Sequence, residues 1–196
     1  MKTRISWIFY CLVSFMLLPS LSAAERFVTN ESNGFTWIQQ GKAYPILVDS
    51  QEDKGVLRAV ANLQTDAGKV TGATPEIIHS PSGNRILIVG SVENSSWIKQ
   101  LVQAGKIPAA DLKGKREKYI LQTVKQPVEG VEEAIVIAGS DKRGTIYGIY
   151  ELSRQMGVSP WYFWADVPVE KHNIISIKEG VYTDGEPAGK DRGIFL

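Results

Sequence analysis

Apolar residues along this chain switch repeatedly between a two-residue and a helical period. Short apolar runs at 35–38 (FTWI) and 45–48 (PILV), parted by the turn signal Gln40-Gly41-Lys42, predict two strands. From Asp53 to Ala67, Val56, Leu57, Val60 and Leu63 stand at i, i+1, i+4 and i+7. That spacing makes one apolar helical stripe, which Gly68 is expected to stop. Glu76-Ile77-Ile78 predicts a brief edge strand, and 85–89 (RILIV), closed by Gly90, a stronger one. Asn94-Ser95-Ser96 supplies capping side chains for a second helix carrying Trp97, Ile98, Leu101 and Val102, and 108–112 fits one more helical turn.

Residues 119–124 alternate and end before Pro127, whereas 134–138 (AIVIA) are apolar throughout. A continuous apolar run predicts a central strand covered on both faces. The third helix spans 141–156, with Ile146, Ile149, Tyr150 and Leu152 expected inward and Gly148 permitting close packing. A last strand at 173–177 precedes the Gly/Pro-rich stretch 180–189. Strands alternating with helices predict an α/β fold, an α+β sandwich with a mixed sheet and about three helices. The expected organisation is one α/β domain at 25–179, followed by a linker at 180–196.

The first 24 residues read as a signal peptide. Lys2 and Arg4 form a positive start, 7–18 is an apolar run too short to span a bilayer comfortably, and Ser22-Ala23-Ala24 offers a cleavage site. Cys11 is the only cysteine and lies inside that run, so the mature chain would lack disulfides, thiolate metal sites and cysteine nucleophiles. A periplasmic or secreted location follows, with no membrane attachment after cleavage. Without Lys2 and Arg4 the 22 basic side chains become 20, against 21 acidic ones, a net charge of −1. Both signs are interspersed, which argues against nucleic acid as a partner.

The densest concentration of candidate chemistry lies at 139–169. Gly139-Ser-Asp-Lys-Arg-Gly144 leads into the third helix, but Thr145 stands where a phosphate-binding loop needs lysine, and no G-x-G-x-x-G occurs. Lys142 and Arg143 put two cations in the first helical turn, where acidic residues are preferred. A bound carboxylate, a domain interface or a solvated face with Asp141 as cap would each account for them. Trp161-Tyr162-Phe163-Trp164 follows the helix. Read as one extended segment, it cannot bury all four rings on one side, so at least two are expected to face a neighbouring domain or a cleft. Aromatic faces beside a basic helix start would suit a sugar or an anion. His79 and His172 lack ligand partners at metal spacing, no nucleophile motif appears, and no pair of carboxylates stands out. No metal, cofactor or catalytic residue is assigned.

The run GSDKRGTIYGIYELS (139–153), followed by GVSPWYFWADVPV (157–169), resembles glycoside hydrolase family 115. Arg192-Gly193-Ile194-Phe195 is similar to the start of that family's next motif, R-G-I-F-I-N-D-E, on the first strand of a catalytic barrel. The resemblance implies an inverting α-glucuronidase that removes glucuronic acid or its 4-O-methyl ether from glucuronoxylan. It further implies an N-terminal α/β domain like that of hexosaminidase-type glycosidases, set before a TIM-like barrel that carries the acid and base. Lys142, Arg143, Trp161, Trp164 and Arg192 then become substrate-binding or barrel-interface candidates. A barrel takes about 250 residues, so the chain is expected to be a truncated or split product, inactive alone. The competing expectation is a stand-alone carbohydrate-binding or interaction module.

Overall fold

A computed structural model describes residues 25–162, 164–187 and 189. The strands are β1 (Val28–Thr29), β2 (Phe35–Gln39), β3 (Lys42–Ala43), β4 (Ile46–Val48), β5 (Ile77–Ile78), β6 (Arg85–Ser91), β7 (Tyr119–Lys125), β8 (Glu133–Gly139), β9 (Ile174–Ile177) and β10 (Val181–Tyr182). The helices are α1 (Lys54–Thr71), α2 (Ser96–Gln103) and α3 (Lys142–Gln155), with a 3₁₀ turn at Ala109–Asp111.

A six-stranded sheet runs β10-β7-β8-β6-β4-β5, parallel from β8 to β5 and antiparallel where β7 and β10 join. A second, antiparallel sheet runs β1-β9-β2-β3. The continuous apolar run of β8 explains the layering. Ile135 and Ile137 join one core with α1, α3 and the smaller sheet, while Ala134, Val136 and Ala138 join a second core under α2. Because both faces of β8 are covered, polar alternation there would bury unsatisfied groups. Among the described residues the result is the expected α+β sandwich with a mixed sheet and three helices.

Local chemistry sets most boundaries. Gln40 and Gly41, with φ of 50° and 75°, make the two-residue turn that joins β2 to β3. Asp53 caps α1 by accepting from the Gly55 N–H at 2.8 Å, and Ser95 caps α2 by accepting from Ile98 N–H. The stop predicted at Gly68 is wrong by one turn. Val70 extends the buried stripe, and Gly72, in the left-handed conformation at φ 78°, ends the helix.

Two further expectations need correction. Tyr150 points outward, 44% exposed, although its spacing on α3 had suggested the core. Ile149 and Leu152 fill the inward stripe, and the Tyr150 hydroxyl accepts from Asn62 Nδ2 on α1 at 2.8 Å. The linker expected from residue 180 onward instead carries β10, which extends the six-stranded sheet beside β7. Tyr182 is buried there, with its ring 5.0 Å from that of Phe27.

Candidate functional site

The cations at the start of α3 are accounted for by the domain itself. Asp141 Oδ1 accepts from Gly144 N–H at 2.7 Å and its Oδ2 from Glu117 N–H at 2.8 Å, so the cap also ties α3 to the chain entering β7. Arg143 donates to Glu117 Oε1 at 3.0 Å, and Lys142 Nζ lies 3.8 Å from Asp53 Oδ2. These acidic neighbours offset the unfavourable interaction of two cations with the positive helix end. A Cβ on Gly139 would lie 2.2 Å from Thr145 N, and one on Gly144 would lie 2.2 Å from Lys118 O. Close backbone approach therefore explains both glycines without a phosphate.

The aromatic segment is a series of turns, which corrects the extended reading. Tyr162 N–H bonds to Ser159 O, and the N–H groups of Trp164 and Ala165 both bond to Trp161 O. This folding separates the rings. Trp161 is 64% and Trp164 85% exposed, whereas Tyr162 is half-buried with Lys69 Nζ 4.3 Å from its ring centre. Phe163 and Arg192 lie outside the described residues. Helix α3 has 14 residues, a length of about 20 Å, and its two ends carry different candidates. Lys142 and Arg143 stand at its start, Trp161 and Trp164 beyond its end. The structure does not bring them into one ligand site.

Between α1 and α3, against the aromatic turns, lies a groove of about 360 Å³ that sequence reading missed. Asn62, Asp66, Lys69, Tyr150, Ser153 and Tyr162 are among its lining residues. Asp66 and Ser153 are buried, at 8% and 3% exposure. Burial pushes the Asp66 carboxyl above its ordinary range, against the pull of the Ser153 hydroxyl and the Lys69 ammonium. Arg154, also on the rim, is held by two hydrogen bonds to Glu151, at 2.7 and 2.6 Å. Burial would raise the Glu151 carboxyl too, but the bonds from Arg154 and Gln155 outweigh it and hold Glu151 below the usual range. Among the described residues, no three His, Cys, Asp or Glu side chains are grouped as metal ligands would be.

Comparison with known families places the chain among glycoside hydrolase N-terminal domains. The profile described as glycosyl hydrolase family 67 N-terminus matches residues 36–152, from β2 to the last turns of α3. The chain belongs to this N-terminal family. A family GH115 4-O-methyl-α-glucuronidase with specificity for decorated arabinogalactans is similar to it over 76% of the chain, at 33% identity and a TM-score of 0.61. The chain spans 18% of that enzyme. Family 67 matches by profile and an enzyme of family 115 by structure, so the shared statement is an N-terminal domain of a glycoside hydrolase. Two β-N-acetylhexosaminidases, from Streptomyces plicatus and Streptomyces coelicolor A3(2), align with TM-scores of 0.43 at 16% and 17% identity. They cover 78% and 82% of this chain, which spans 24% and 25% of theirs. No curated protein sequence matches the chain.

Proposed function

We propose that this glycosidase N-terminal domain is non-catalytic and serves an exported family 115 α-glucuronidase, which releases (4-O-methyl)glucuronic acid from glucuronoxylan. Its aromatic turns dock against the catalytic barrel. The observation that carries this reading is the exposure of Trp161 and Trp164 on a hydrogen-bonded loop. Large rings held out in water favour burial against a partner. A non-catalytic role is supported by the α1/α3 groove, where Asp66 is the sole carboxyl among the lining residues. Glycoside hydrolysis uses two carboxyl groups about 5–10 Å apart. Export rests on the signal-like first 24 residues, with their basic start and short apolar run.

The test is an assay of residues 25–196 for glucuronic acid release from glucuronoxylan, with light scattering on the same sample. No release, and association reduced by the double change Trp161→Ser and Trp164→Ser, is expected. Robust release would overturn the non-catalytic reading. Monodisperse wild-type protein that binds glucuronoxylan through Trp161 or Trp164 would favour a carbohydrate-binding module instead.

A further inference from the structure

We infer that the groove between α1 and α3 binds a neutral pyranose unit of a polysaccharide, at the inner edge of the aromatic turns and through residues other than the exposed tryptophans. Its floor and wall combine the two things a sugar ring requires. Val158 and Pro160 offer apolar surface for the C–H faces. Asn62, Asp66, Tyr150 and Ser153 offer amide, carboxyl and hydroxyl groups to neighbouring hydroxyls. The volume of about 360 Å³ falls within the roughly 300–1,000 Å³ of small-molecule sites.

Charge selects the class of ligand. Of the two cations lining the groove, Arg154 is committed to Glu151 through two short hydrogen bonds and Lys69 lies with its Nζ 4.3 Å from the Tyr162 ring centre, so both already have partners that an incoming carboxylate would have to displace. Asp66, buried in the groove, would repel a uronate when ionised and would donate to a sugar oxygen when protonated. Neutral, hydroxyl-rich ligands meet neither conflict. The Asn62–Tyr150 hydrogen bond, 2.8 Å long and bridging α1 to α3, orients both side chains at the rim in advance. Preorganisation of this kind lowers the entropic cost of binding a small, weakly held ligand.

The probes are xylobiose and free glucuronic acid, each added to residues 25–196 and followed by saturation-transfer NMR. Saturation transfer is expected to xylobiose and to be at least tenfold weaker to glucuronic acid. Asp66→Asn and Tyr150→Ala, checked for folding by circular dichroism, are each expected to cut the xylobiose signal at least threefold. Tyr150 is substantially exposed and Asp66→Asn preserves shape, so both variants should fold. Absence of transfer to xylobiose would overturn the inference. So would preference for glucuronic acid, or a signal lost in Trp161→Ala or Trp164→Ala but retained in the groove variants. None of these readouts involves hydrolysis, so the result stands apart from the assay of catalytic competence.

Discussion

Arg143 donates a hydrogen bond to Glu117 Oε1 at 3.0 Å from an exposed position, while the Glu117 side chain is only 3% exposed. The two residues are 26 positions apart and join the first turn of α3 to the entry of β7. A cation that could have awaited an anionic ligand instead serves a carboxylate of its own domain. Substituting Arg143→Ala should therefore cost stability, by about 1–2 kcal/mol, because a buried carboxylate loses a charged donor. Lys142→Ala, which loosens a 3.8 Å contact between partly exposed groups, should cost less than about 0.5 kcal/mol. Urea unfolding of the two variants distinguishes them. Equal, negligible effects would return Arg143 to the list of ligand-binding candidates.

Gly148 lets α3 lie directly on the sheet. A Cβ there would sit 2.8 Å from Ile137 Cγ2 and 3.0 Å from the Tyr119 ring. Gly148→Val should lose at least about 1–3 kcal/mol through overpacking. Chemical denaturation reads this directly, and a neutral result would show that the helix can lift off its strands freely.

Asp66 gives a signed pH effect. Its carboxyl is raised above 3.8 chiefly by burial, so the folded chain holds that proton more tightly than the unfolded one. Ionised Asp66 therefore costs stability at neutral pH, and this cost disappears as the pH falls through the folded pKa towards the unfolded value. Asp66→Asn should raise Tm at pH 7, with the advantage shrinking towards pH 4. Thermal melts across that interval test the sign. A lower Tm at neutral pH would mean that the charged form is the favoured one.

Tyr182 reports whether the folded domain continues past residue 179. Its ring is buried against Phe27, and its strand pairs with β7. Tyr182→Ala should cost about 2–4 kcal/mol, the range for deleting a large core side chain. A residue in a true linker would cost nothing measurable in the same thermal or urea experiment.

Elements whose burial is simple were legible from residue order. The strand at 134–138 announced itself because both of its faces are covered, which leaves no position for a polar side chain. A cap within Asn94-Ser95-Ser96 and a turn at Gln40-Gly41-Lys42 were equally readable, since each acts on backbone within three residues; the structure gives the cap to Ser95. Tyr150 was not. An aromatic ring with a hydroxyl fits an inward stripe as well as an outward hydrogen bond, and its partner Asn62 lies 88 positions away.

The same distinction runs through the candidate site. The sequence by itself determined a motif shared with glycoside hydrolases and the order of the main strands and the three helices, and it offered Asp141 as one possible cap, because these depend on neighbours along the chain. Only the tertiary structure decided that Lys142 and Arg143 face acidic partners and that a set of turns leaves Trp161 and Trp164 exposed. It alone assembled a groove from Asn62, Asp66, Tyr150 and Ser153. Pairing charges and forming cavities require surfaces from separate helices to meet, and that meeting is set by packing both onto one sheet, not by spacing along either.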